Sequence, residues 1–84
     1  MTYGIDNSMN LAQVKKGESA VILRVDAEQS IRERLRMLNV APGMRIKVIR
    51  YSIFKSSILL ESDGLRIGLR RELAEKISVM QREF

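Results

Sequence analysis

The chain has 84 residues, 45% of them hydrophobic, with 15 basic against 10 acidic residues for a net charge of +5, and it contains neither histidine nor cysteine. So short a chain fills one core and therefore makes one domain. Without imidazole or thiolate, the usual zinc, copper and iron–sulfur ligands are missing, no nucleophile and base pair of protease type assembles, and disulfides are excluded.

Other classes fall away on pattern. No apolar run approaches the roughly 20 residues that span a bilayer, so the chain is expected not to insert directly into a membrane. The start lacks the charged, apolar and small-residue order of a secretory signal, and the cytoplasm is the expected location. No GxxxxGK loop is present for nucleotide hydrolysis. The carboxylates mostly neighbour a basic residue, as in Arg32-Glu33-Arg34 and Arg70-Arg71-Glu72, so neither a metal site nor a cofactor is expected.

In chain order, residues 1–8 read as a polar tail and residues 9–84 as the domain. Leu11 and Val14, three apart, suit one helical turn, and Lys15-Lys16-Gly17-Glu18 a turn before a strand. Ser19 to Val25 alternates, with Val21, Leu23 and Val25 on one face and Ala20, Ile22 and Arg24 on the other. Ser30 followed by Glu33 is a capping-box pattern and predicts a helix start. Ile31, Leu35 and Leu38 then form a narrow apolar stripe, while Arg32, Glu33 and Arg36 face water. Asn39 stands where a left-handed residue would end the helix, and Pro42-Gly43 predicts a type II turn.

From Met44 the pattern alternates again until Val48 and Ile49, two adjacent apolar residues that predict a bulge. Tyr51 to Ser57 forms a connection, and Ile58-Leu59-Leu60 begins a third strand. Asp63-Gly64 is a two-residue hairpin signal, Leu65, Ile67 and Leu69 mark a fourth strand, Arg71 to Lys76 a helical turn, and Ile77 to Met80 a fifth strand. Together these predict a mainly β fold, a small five-stranded barrel of SH3-like type with one short α-helix inserted after the first strand. The helix stripe is expected to plug one open end, with Leu11, Val40 and Leu73 closing the other gaps.

Charge is uneven along the chain. Arg45, Lys47, Arg50 and Lys55 fall in residues 44–60, where no acid appears before Glu61. The pattern suits a solvated strand face, an edge strand guarded against aggregation, or an anionic contact surface. With only Tyr51 and Phe54 near the basic strand, stacking on nucleic acid is not indicated.

Three stretches carry a resemblance to a family. Leu11 to Glu18 is similar to the opening of FeoA, the small cytoplasmic component of bacterial ferrous iron uptake. Arg34-Leu35-Arg36-Met37-Leu38-Asn39-Val40-Ala41-Pro42-Gly43 resembles its leucine-rich helix and Pro-Gly turn, and Leu65 to Ala74 its closing signature with Leu69-Arg70-Arg71. Asn39 replaces the family's usual glycine, and Lys55-Ser56-Ser57, preceded by Ile53 and Phe54, replaces its usual Gly-Asp-Pro type of turn. The resemblance implies an SH3-like barrel that is no enzyme and works by contact with FeoB, the membrane permease carrying a cytoplasmic GTP-binding domain. It points to Tyr51, Ile53, Phe54 and Lys55 in the long hairpin, with Arg36 and Met37 on the helix, as contact residues. Met37 lies off the apolar stripe, where a hydrophobic side chain meets either another core segment or a partner. The alternatives are a stand-alone relative of the SH3-like domain that ends iron-dependent repressors, and a nucleic-acid-binding barrel using Arg45, Lys47 and Arg50.

Overall fold

In the computed structural model, which describes residues 9–81, alternation and turn chemistry build six antiparallel strands around one core. They are β1 (Met9–Asn10), β2 (Ser19–Val25), β3 (Arg45–Tyr51), β4 (Ser57–Ser62), β5 (Leu65–Arg70) and β6 (Ile77–Met80), with helices α1 (Gln29–Met37) and α2 (Arg71–Ala74). The sheet order is β1-β6-β2-β3-β4-β5. The strand count is therefore six rather than the expected five. The additional strand, β1, is only two residues long and pairs Met9 with Val79 and Asn10 with Ser78, too short to leave any alternation in the sequence. The expected tail at residues 1–8 lies outside the described residues.

The turns form as their residues dictate. Asp63 and Gly64 both take positive φ, 51° and 84°, the geometry of a type I′ hairpin between Ser62 and Leu65. Gly43 has φ 90°, and the Met44 N–H donates to the Ala41 carbonyl oxygen at 3.0 Å, closing the Pro42-Gly43 turn. At the end of α1, Asn39 sits at φ 65°. The Val40 N–H donates to the Leu35 carbonyl at 2.8 Å and the Asn39 N–H to the Arg36 carbonyl at 2.9 Å, a Schellman motif with asparagine in the left-handed place. The two residues whose apolar contact usually accompanies that motif, Leu35 and Val40, are both buried.

The predicted bulge appears between Val48 and Arg50: before it Ile46 and Val48 are buried and Arg45 and Lys47 exposed in plain alternation, and after the extra residue Arg50 is exposed and Tyr51 half-buried. β2 carries a second bulge, between Ile22 and Arg24, absent from the sequence reading. Its inward side is Ala20 and Ile22, then Val25, because the extra residue shifts the phase. Leu23 consequently lies half exposed.

Two further expectations about α1 are corrected. The helix begins one residue earlier than Ser30, and Glu28 at the cap position makes no side-chain cap bond. Glu33 instead accepts from the Gln29 side-chain amide at 3.1 Å, and the helix start faces water, which satisfies its free N–H groups without a serine. Nor does the whole stripe plug the barrel. Leu35 alone of α1 is buried, Leu38 packs half-buried against the core, and Ile31 remains 36% exposed over a groove beside Leu73.

The strands at the two ends of the sheet, β1 and β5, share no ladder among the described residues, so the seam is closed by packing rather than by hydrogen bonds. α2 packs against β4, β5 and the 3-10 turn Leu11–Gln13, with Leu11 and Ala74 fully buried there. Val14 and Val40 are likewise buried and Leu73 partly so, as the gap-closing role expected for Leu11, Val40 and Leu73 requires.

Candidate partner-binding site

The β3–β4 connection is built by serines. The Ser52 N–H donates to the Ser57 carbonyl and the Ser57 N–H to Ser52 Oγ, each at 3.0 Å, while the Lys55 N–H donates to the Ser52 carbonyl at 2.8 Å. This clamp narrows the loop and holds Phe54 and Lys55 at φ 64° and 56°. Left-handed conformations cost ordinary L-residues roughly 1–2 kcal/mol each. Two in succession, neither glycine nor asparagine, mark a tip whose side-chain direction is imposed by its surroundings. That direction is outward: Ile53 is 77% and Phe54 91% exposed.

Tyr51, at the base of the loop, behaves differently. Its hydroxyl donates toward the carbonyl oxygens of Ala12, at 3.1 Å, and of Val14, which fastens β3 to the Leu11–Gln13 turn. Burial raises the phenol above its ordinary value. Lys55 Nζ lies 5.5 Å from the centroid of the Tyr51 ring, within cation–π range. Of the two aromatics near the basic strand, only Phe54 therefore offers an open ring face.

Beside Tyr51 a groove of about 710 Å³ runs between the Ala12–Lys16 segment and the end of β3. Lys15, Lys16, Arg50 and Lys55 line it, with no carboxylate among the lining residues. Local geometry places the first two. The Glu18 N–H returns to the Lys15 carbonyl at 3.0 Å, and Gly17, at φ 85°, donates to the Val48 carbonyl at 2.7 Å, which pins the lysine turn onto β3. The edge-guard explanation for the basic strand does not hold, because β3 is paired on both sides, to β2 and to β4.

On α1, Met37 is 82% exposed and so is no core residue, and Arg36 lines a separate groove with Arg24, Arg32 and Pro42. The structure thus joins Tyr51 and Lys55 in one cluster and sets Arg36 and Met37 in another. The sequence reading had not linked Lys15 and Lys16 to Arg50. The long stretch of chain between them hid that link.

These features define a small β-barrel with a filled core, whose unusual surface elements are an apolar tip, an apolar helix end and a cationic groove rather than a deep cavity. A FeoA-domain model matches residues 9–81, and the chain belongs to that family. A relative from Methanocaldococcus jannaschii, whose name marks it as a candidate Fe(2+) transport protein A, is 31% identical over 74 residues, covering 88% of each chain. The FeoA protein of Chlorobium tepidum has a similar structure at TM-score 0.82 and 33% identity, over 86% of this chain and 69% of that one. The zinc-complexed FeoA of Stenotrophomonas maltophilia, described as a prokaryotic SH3 domain protein, matches at TM-score 0.72 and 25% identity over 84% and 88%. The SH3-like barrel is therefore the fold, and ferrous iron transport the setting of the family. A manganese-dependent transcriptional repressor shares the fold alone, at TM-score 0.81 and 18% identity over 94% of this chain and 39% of its own.

Proposed function

We propose that this chain is a cytoplasmic accessory protein of ferrous iron uptake that works by protein contact with a FeoB-type permease and its GTP-binding domain, and catalyses nothing itself. The observation that carries the reading is the placement of the three most exposed large apolar side chains among the described residues. Met37, Ile53 and Phe54 lie 77–91% open on one helix end and one loop tip, while the core is complete without them. Aromatic and other large apolar side chains of this kind supply much of the energy at interface centres. Tyr51 and Lys55 support the tip from below, and Arg36 adds a charge beside Met37. Membership of an iron-transport family supports the choice of partner.

Binding of the full chain to the complete cytoplasmic region of FeoB, measured by calorimetry, tests this. Phe54→Ser and Met37→Ser should each weaken it by roughly tenfold or more, the scale of an interface anchor. No binding by the unaltered protein, together with unchanged ferrous uptake after deletion, would sink the proposal.

A further inference from the structure

We propose that the Ile53–Lys55 tip and the groove at its base form a docking surface for an anionic phospholipid bilayer, in which Lys15, Lys16, Arg50 and Lys55 meet the phosphate headgroups and Phe54 and Ile53 enter the interface. This goes beyond contact with a permease and requires none.

Two independent features converge on the same end of the barrel. The first is charge: cations from three separate segments face one groove without a lining carboxylate. Neither ion pair found among the described residues, Arg66 with Glu61 or Arg71 with Glu75, involves any of them. The second is the tip, where Phe54 and Lys55 hold left-handed backbone conformations and the phenyl ring and the neighbouring Ile53 lie open to water.

The shape of the pair selects the occupant. An acidic peptide lying in the groove would neutralise the lysines but leave the convex Phe54 tip in water. A nucleic acid would look for stacking faces, and the Tyr51 ring is half-buried beneath Lys55 with its hydroxyl already engaged. A headgroup layer meets both features at once, because phosphates lie within a Debye length of the cations while apolar side chains reach the acyl boundary. Each basic residue near an anionic leaflet contributes roughly fivefold in partitioning, from about 1 kcal/mol apiece. Four would raise adsorption by on the order of several hundredfold. No segment needs to cross the bilayer, in keeping with the lack, among the described residues, of any helix long and apolar enough to do so.

Co-sedimentation of the full chain with permease-free vesicles tests the proposal and leaves the permease reading untouched. The protein should pellet with phosphatidylglycerol vesicles at low salt, lose binding as salt rises, and ignore phosphatidylcholine vesicles. The double variant Lys15→Glu, Lys16→Glu should lose roughly tenfold or more. Phe54→Ser should lose about fivefold, from one partly buried ring, with its salt dependence retained. Both variants alter exposed positions, and an unchanged thermal midpoint checks that they fold. Equal binding to both vesicle types, no binding to phosphatidylglycerol at low salt, or retention on polyglutamate without any vesicle binding would each overturn the docking surface.

Discussion

The hydroxyl of Ser62, buried at the end of β4, donates to the carbonyl oxygen of Asn39, the residue on which the chain leaves α1 at φ 65°. This bond joins positions 23 apart in sequence and ties the helix exit to the Asp63-Gly64 hairpin. It also explains how a non-glycine residue is held at the Schellman position. The asparagine tolerates the left-handed region, and its carbonyl, turned inward there, finds a buried donor.

Substitutions at Asn39 should therefore separate backbone strain from side-chain chemistry. Asn39→Gly keeps the left-handed geometry and should alter stability by less than about 0.5 kcal/mol, whereas Asn39→Ala should lose about 1 kcal/mol or more, because alanine lacks the short polar side chain that lets asparagine occupy the left-handed region. Ser62→Ala should cost about 1–3 kcal/mol, since it leaves a buried carbonyl without its partner. Urea unfolding of the three variants measures all of this, and an Asn39→Ala protein as stable as the parent would contradict the strain argument.

The apolar stripe of α1 makes unequal contributions. Leu35 is 2% exposed and Ile31 36%. Leu35→Ala should cost roughly 2–5 kcal/mol as a core cavity. Ile31→Ala, at a half-solvated site, should cost under about 1 kcal/mol. Equal losses in denaturant titrations would mean that the helix seats on both residues.

Tyr51 sets a pH dependence whose sign follows from its burial. The phenol is raised above 10.0 in the folded protein, so its contribution is complete below about pH 10, where both states are protonated. Above that value the unfolded chain loses its proton first, and stability declines until the pH passes the folded value. Stability of the parent should fall more steeply above about pH 10 than that of Tyr51→Phe, which lacks the ionisation. The same variant should be less stable by about 1 kcal/mol at neutral pH through loss of the bond to the Ala12 and Val14 carbonyls. Parallel stability curves for the two proteins would refute the assignment.

At the loop tip, stability and contact should move in opposite directions. Phe54→Gly relieves a left-handed conformation and removes a side chain that packs on nothing, so unfolding should be unchanged or harder by up to about 1 kcal/mol. Binding to the FeoB cytoplasmic region and to anionic vesicles should both weaken. A destabilised Phe54→Gly protein would show that the ring is structural after all.

Much of the fold was legible because its signals are short-ranged. Asn39, Pro42-Gly43 and Asp63-Gly64 dictate φ within a turn, and the Val48-Ile49 doublet betrays a bulge. Those devices, with the alternation of β5 and the apolar run of β6, outline the barrel without any knowledge of distant contacts. β1 escaped because two residues carry no period, and the β2 bulge because the alternation of residues 19–25 looks unbroken until pairing with β6 inserts an extra residue. Ser30 and Glu33 looked like a cap, yet the helix starts a residue earlier against water, where no such cap is required.

The site divides in the same way. Met37 and the Ile53–Phe54 pair stand out in the sequence as large apolar residues off the helix stripe or within a polar loop, positions that meet either another core segment or a partner, and their exposure in the fold is what removes the core from that choice. That Lys15 and Lys16 share a groove with Arg50 and Lys55 was decided only by tertiary structure, when the Gly17 amide took the Val48 carbonyl and the Tyr51 hydroxyl reached the Ala12 and Val14 carbonyls. Local backbone preferences act over three or four residues and can be read in order along a chain. The meeting of two charged segments depends on which strands pair and in what register, and that choice belongs to the whole core.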